Sequence, residues 1–344
     1  MARTFMGILS RYRLWLYAGA LVVMAATVVA VVYLVPRPVP RRPVVPAAAQ
    51  TQVPTERPAE ASVPQRPTES VQQVQGPSNA ASSVEATASS ASSVEAAVAK
   101  AMASLAANPM RLVEVRDRLN AMLAGPLTNE QERLVKAKLS ELATKWLFGP
   151  DIYPSDRLCQ SYLVQPGDQL RVIGQRCKVP YELLMSINRI PRPEALRAGQ
   201  YIKIVNGPFH AKVSRSNFTV DIYLQDTYVC TYPVGLGRPG YETPKGLWVV
   251  KPGGKLIKPQ WTDPDTGRTY RPEDPDYPLG SRWIGLEGIE GEAVGREGFA
   301  IHGTNDPNQI GQQGSRGCIR LHNGDAVAVY NMLMPGQSKV RVTD

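Results

Sequence analysis

The rhythm of hydrophobic and polar positions changes several times along this chain, and each change predicts a different kind of element. Leu14 to Val35 runs 22 residues without a charge. At about 1.5 Å per residue a helix of that length crosses a hydrocarbon core of about 30 Å. Pro36 to Ser93 has no apolar period: it begins rich in Pro, Val and Arg and ends rich in Ala and Ser. Such a segment buries too little apolar surface to offset its ordering entropy, which predicts a disordered, partly polyproline II spacer. From residue 94 to 150 the period becomes helical. Val94, Val98, Met102 and Leu105 form a first stripe. Asn108-Pro109 opens a second helix, with Leu112, Val115, Leu119, Met122 and Leu123 on its apolar face and Gly125-Pro126 at its end. Thr128 and Gln131 have the spacing of a capping box for a third helix carrying Leu134, Ala137, Leu142 and Trp146.

Residues 160–206 read strand, helix, helix, strand. Tyr162 to Val164 is extended, Gln165-Pro-Gly-Asp168 turns the chain, and Asp168 is placed to cap a helix with Leu170, Ile173 and Cys177 on one face. Val179-Pro180 breaks it, Tyr181 to Asn188 makes a second helix, and Tyr201 to Val205 returns as a strand. From residue 208 to 344 the texture is β. Phe218, Val220, Ile222 and Leu224 alternate with Thr219, Asp221 and Tyr223, and Tyr228 to Val234 closes a hairpin. Gly246 to Lys251, Arg282 to Leu286, Gly298 to Ile301 and Lys339 to Thr343 are further strands, and Asn323 is placed to cap a late helix. Short strands with one or two helices predict a mainly-β, sandwich- or barrel-like domain rather than a parallel α/β sheet.

Composition narrows the setting. The 344 residues carry a net charge of +9 and 30 prolines. A basic balance suits an anionic envelope polymer or lipid surface. No Lys/Arg run interleaved with aromatics points to nucleic acid, so no nucleic-acid partner is expected. Arg3, Arg11 and Arg13 in the tail 1–13 precede the apolar run, and Arg37, Arg41 and Arg42 follow it. The run exceeds the usual signal-peptide core, and no small-x-small site closes it. The expectation is an uncleaved single-pass anchor at 14–35 followed by a linker at 36–93, with the bulk of the chain outside the membrane; a cleaved signal is the alternative. The 4 cysteines are Cys159, Cys177, Cys230 and Cys318. A Cys159–Cys177 bridge and buried free thiols both remain open. No Cys/His spacing suits a metal, and no cofactor is expected.

One stretch carries chemistry. Gly298-Phe-Ala-Ile301 feeds His302, a polar glycine-rich loop follows, and Ser315-Arg-Gly-Cys318-Ile-Arg320-Leu321 brings a thiol between two arginines. One loop of that length sets a base beside a nucleophile.

Two resemblances attach to these strings. The V-x-PGD-x-L, LL-x-x-N and AGQ-x-I-x-I pattern of residues 162–205 resembles the LysM module, which implies binding to N-acetylglucosamine-containing glycan strands such as those of peptidoglycan. Val234-Gly-Leu-Gly237 with Thr243-Pro-Lys-Gly246-Leu-Trp248, Tyr277-Pro-Leu-Gly280-Ser-Arg-Trp283, and Ile301-His-Gly-Thr304 with Ser315-x-Gly-Cys-Ile-Arg-Leu321 resemble the L,D-transpeptidase catalytic domain of the YkuD type. That family implies a periplasmic or envelope enzyme. It cuts a stem tetrapeptide between the L-centre of meso-diaminopimelate and D-alanine, and passes the acyl group to a side-chain amine of another stem.

The resemblance implies Cys318 as nucleophile, His302 as general base and acid, and the Gly303 carbonyl as the group orienting His302. The N–H groups of Gly317 and Cys318 are candidate oxyanion donors. Arg320, Ser315, Arg316, Thr304 and Trp283 are candidate substrate contacts. Arg320 either grips a substrate carboxylate or makes an internal salt bridge. Trp261, Tyr270 and Tyr277, in the excursion from Lys255 to Tyr277, line a peptide groove or pack the loop. The family usually has histidine where this chain has Arg316, and an arginine is never a base, so His302 must suffice. The expectation is that the nearby guanidinium favours the thiolate. Two competing readings keep the same strings: an L,D-carboxypeptidase with water as acceptor, and a non-catalytic wall-binding anchor.

Overall fold

The computed structural model describes residues 81–344, with side chains from Ser93 onward. The expected tail, the anchor Leu14–Val35 and most of the linker lie outside the described residues. Among the described residues no helix is long and apolar enough to cross a membrane.

Helix α1 spans Ala81–Ala107, so the last Ala/Ser-rich residues of the expected linker are helical. Alanine is the best helix former, and runs of it extend a helix already anchored by a packed C-terminal half. Asn108 caps the next turn through Met110 N–H at 3.0 Å, ahead of α2 (Leu112–Met122). The Thr128–Gln131 capping box forms in both directions at the start of α3 (Asn129–Trp146). Val98, Leu112, Leu119, Val135, Leu139, Leu142 and Trp146 fill the core between the three helices.

This helical unit is docked rather than free. Arg116 and Asp156 form a buried ion pair at 3.0 Å. Lys203, also buried, donates to the carbonyls of Trp146, Gly149 and Asp151 at 2.7, 2.9 and 2.6 Å. One lysine thereby satisfies the last carbonyl of α3 and two carbonyls of the segment that follows it, and places its charge at the negative end of the helix dipole. On another side, Lys136 of α3 reaches Asp221 at 2.6 Å, and Asn120 accepts from Tyr228 N–H at 2.9 Å.

Strand β1 (Cys159–Leu163), α4 (Leu170–Arg176), α5 (Tyr181–Ile187) and β2 (Tyr201–Val205) form the βααβ unit, with β1 and β2 antiparallel. Asp168 does not cap α4. Its carboxylate accepts from Tyr162 Oη at 2.7 Å and Gln165 N–H at 2.8 Å, bracing its own turn. Asn188 clamps β2 to α5 through Lys203 N–H at 2.7 Å and Leu184 O at 2.9 Å.

The last part is mainly β: β3 (Phe209–Ser214), β4 (Thr219–Leu224), β5 (Thr227–Pro233), β6 (Leu236–Gly237), β7 (Gly246–Leu256), β8 (Trp261–Thr262), β9 (Thr269–Tyr270), β10 (Trp283–Gly291), β11 (Ala300–His302), β12 (Gln313–Ser315), β13 (Ile319–Arg320) and β14 (Lys339–Thr343), with α6 (Asn323–Met332) before β14. Eight strands make one mixed sheet in the order β13-β11-β10-β7-β14-β3-β4-β5. Its curl follows from connectivity. Edge strand β5 ends at Pro233, yet Gly235, two residues on, bridges to Arg320 in the opposite edge strand. The two edges meet only if the sheet bends round, the barrel-like alternative rather than two stacked sheets. Asp221, assigned by its alternation to the outer face, is buried because α3 covers that face. Asn323 does not cap α6. Its side chain accepts from Ser281 N–H and donates to Thr304 O, both at 2.9 Å, tying two loops together. All four cysteines are unpaired, so no Cys159–Cys177 bridge forms, and burial pushes the Cys159 thiol up to about 12.

Candidate active site

The register of two short parallel strands assembles the site. Ile301 pairs with Ile319 and His302 with Arg320. Side chains alternate along a strand, so Ile301 and Ile319 go to the core while His302, Arg320 and Cys318 share the other face. Both isoleucines are fully buried. On the far side of β11, Trp283 pairs with His302 across β10, and its ring stacks on the imidazole at 5.6 Å and 19°.

His302 is 3% exposed. Its Nδ1 lies 2.6 Å from the Gly303 carbonyl. A carbonyl only accepts, so Nδ1 carries the proton and Nε2 holds the lone pair, the tautomer a general base needs. Burial and the Arg320 charge push its pKa down from 6.5 to about 4, against the carbonyls of Gly303 and Leu279. Close packing fixes this corner. A Cβ on Gly280 would sit 2.4 Å from Thr304 N, and one on Gly303 would sit 2.2 Å from Asn323 Oδ1.

Cys318 sits at the end of the loop that leads into β13. Burial raises its thiol above the ordinary value, opposed by the Ala300 N–H and by Arg320. The thiol donates to the Gly298 carbonyl at 3.6 Å. The resting pair is therefore neutral thiol and neutral imidazole, not the thiolate–imidazolium pair that histidine pairing suggests. The cation acting on the sulfur is Arg320. Arg316 instead turns away, to Asp265 and the Tyr241 ring, so the expected thiolate support from Arg316 is not what the geometry provides.

The remaining candidates divide. Gly317 has φ +104°, and a Cβ there would lie 2.5 Å from Phe299 Cε1, so only glycine fits. Its N–H is taken by Ser315 Oγ at 3.0 Å, however, while Ser315 Oγ donates to Cys318 O at 2.7 Å. Ser315 is thus a buried staple inside the loop, and Gly317 N–H is not aimed at substrate. Thr304 is buried too, its hydroxyl bonded to Asp306 N–H at 3.0 Å. Trp283 covers His302 and lines a cavity of about 280 Å³ with Lys251, Glu287, Arg296, Gly298 and Phe299. Arg320 makes no salt bridge among the described residues, and its buried Nε has no partner. Trp261 and Tyr270 stack on each other at 6.0 Å, and Tyr277 is buried with its hydroxyl on Pro259 O at 2.6 Å. Those aromatics pack the excursion. His322, just after the loop, is exposed.

Two residues outside the candidate set shape this loop. Thr243 is buried, accepts from Gly237 N–H at 3.1 Å and donates to Gly317 O at 2.9 Å. Asn323 holds the turn before Trp283 to the segment after His302. Thr243 lies in one of the matched strings, which was its only signal; Asn323 had none beyond its place before a helix. Among the described residues no cluster of His, Cys, Asp or Glu could hold a metal.

Residues 208–342 match the L,D-transpeptidase catalytic domain and residues 162–205 the LysM domain. YkuD of Bacillus licheniformis, which carries the L,D-transpeptidase name, is 29% identical over 189 residues, covering 53% of this chain and 98% of that protein. YqjB of Bacillus subtilis, which carries the same name, is 31% identical over 134 residues, covering 38% of this chain and 69% of that protein. Among solved structures, an L,D-transpeptidase from Mycobacterium tuberculosis overlays with a TM-score of 0.32 at 20% identity, covering 43% of this chain and 63% of that one. The chain belongs to the YkuD-type L,D-transpeptidase family and carries a LysM domain ahead of its catalytic domain.

Proposed function

We propose that the protein is a cysteine-dependent peptidoglycan L,D-transpeptidase that forms 3→3 crosslinks through a thioester. The observation that carries this is the shared face of Cys318, His302 and Arg320, with the His302 tautomer set by Gly303. Cys318 Sγ attacks the carbonyl carbon at the L-centre of meso-diaminopimelate, and His302 Nε2 takes the thiol proton as the C–S bond forms. Because both groups rest neutral, proton transfer accompanies attack rather than preceding it. The oxyanion donor assigned from this loop is the Cys318 N–H, since the Gly317 N–H is occupied. Collapse breaks the C–N bond, and His302 returns the proton to the leaving D-alanine amine. A side-chain amine of a second stem then attacks the thioester and regenerates the thiol. Arg320, without a salt-bridge partner, holds a substrate carboxylate.

The LysM unit is assigned to glycan strands, and Leu14–Val35 to a single membrane span that leaves the catalytic part in the envelope. The test uses the chain with a stem tetrapeptide and excess amine acceptor. Expected are a Cys318 thioester by intact mass and a crosslinked product, both lost in Cys318→Ala. Tripeptide alone points to a carboxypeptidase. Peptidoglycan pull-down without any thioester points to a wall-binding anchor.

A further inference from the structure

The excursion between β7 and β10 ends over the nucleophile loop in a single charged contact. Strands β8 and β9 form a small hairpin braced from within. Trp261 stacks on Tyr270, Asp263 N–H bonds Arg268 O at 2.9 Å, and Arg268 pairs with Asp276 at 2.7 Å. Among the described residues, the one side-chain hydrogen bond or ion pair from Trp261–Tyr270 to residues beyond the excursion Lys255–Tyr277 is that of Asp265, at the tip, with Arg316. Asp263 faces the same guanidinium from the tip. Arg316 also lies over the Tyr241 ring at 5.3 Å, and Arg238 lies over that ring at 4.6 Å. Arg238 has no ion-pair partner among the described residues.

We propose that Arg316 is a carboxylate-recognition residue and that Asp265 is its resident occupant, which a carboxylate of the stem peptide displaces. This rests on the transpeptidase reading. Three features of the contact carry it. A planar guanidinium beside an aromatic ring is suited to a carboxylate and never titrates away. The side chains of Arg316 and Asp265 are 36% and 50% exposed, so their pairing is weak enough for a ligand to replace. Arg316 is two residues from Cys318, within reach of a peptide whose scissile bond is at the sulfur. The hairpin tip therefore disfavours, by about a few-fold, peptides that bring no carboxylate, and Arg316 favours those that do. The group is a terminal carboxylate, on the leaving D-alanine or on the acceptor stem; the D-centre carboxylate of meso-diaminopimelate is common to every donor and gives no selective response.

The test compares the whole chain with Asp265→Asn and Arg316→Gln, using a tetrapeptide donor ending in D-alanine and the same donor ending in its carboxamide. Each donor is run with an amine acceptor that carries a carboxylate and with one that does not. In Asp265→Asn, kcat/KM for the carboxylate ligand is expected to rise about two- to five-fold, the range an exposed pair spans. The carboxamide is expected to change less. In Arg316→Gln the discrimination between carboxylate and carboxamide is expected to fall, with Arg316→Lys keeping part of it. Whichever series responds, donor or acceptor, identifies the source. Equal effects on every ligand, or none, with thioester still formed, overturn the proposal while leaving the transpeptidase reading intact. No thioester in the unaltered chain overturns both.

Discussion

His302 gives the sharpest prediction, because its burial has one sign and two readouts. The imidazole is 3% exposed, and its pKa is pushed down to about 4 from 6.5. The unfolded chain takes up this proton near pH 6.5; the folded chain resists until about pH 4. Stability from His302 is therefore complete above pH 6.5, declines as pH falls between 6.5 and 4, and is constant below. The full loss is about 3 kcal/mol. His302→Gln removes the titration while keeping a polar side chain. Urea unfolding from pH 7.5 to 3.5 is expected to show a steeper acid loss for the unaltered chain than for His302→Gln, with the difference developing between pH 6.5 and 4. The second readout is chemistry. Acylation of Cys318 is expected to keep its base down to about pH 4. Because burial holds the thiol above its ordinary value, acylation is also expected to keep rising on the alkaline side. An acid limb centred near 6.5, or parallel stability profiles for the two proteins, refutes the argument.

Gly317→Ala places a Cβ at φ +104° and 2.5 Å from Phe299 Cε1, with that ring held by Trp248 at 5.1 Å. Strain of about 1–3 kcal/mol and loss of acylation by about a hundred-fold are expected, read by thermal unfolding and intact mass; a normal acylation rate refutes it. Lys203→Met strands the carbonyls of Trp146, Gly149 and Asp151, at and just after the end of α3, and is expected to cost about 3–5 kcal/mol. A shift of the urea midpoint with an unchanged acylation rate per folded molecule checks it.

Much of the fold is legible in the sequence, because its signals are local. The Thr128–Gln131 capping box, the Asn108 cap, the βααβ order of residues 160–206 and the strand Lys339–Thr343 are set by neighbours within a few positions, and they form as read. Side-chain identity also put His302 and Cys318 in one site, since their loop returns the chain to the same sheet edge. What sequence left undecided depends on atoms far away along the chain. Asp221 reads as an outward polar position until α3 covers it, and Asn323 reads as a cap until Ser281 and Thr304 take its side chain. Arg316 reads as a cation for the thiolate until a hairpin tip about fifty residues upstream claims it. The ionisation of the pair was likewise out of reach. A histidine and a cysteine name a proton transfer, but whether either rests charged depends on how much water the fold removes. Here Trp283 covers His302 and burial holds the sulfur neutral. Sequence alone determined what kind of element carries each group and that the loop from His302 to Cys318 returns to one sheet edge. Tertiary structure decided their partners and their charge, because desolvation and hydrogen-bond competition are summed over the whole surrounding shell.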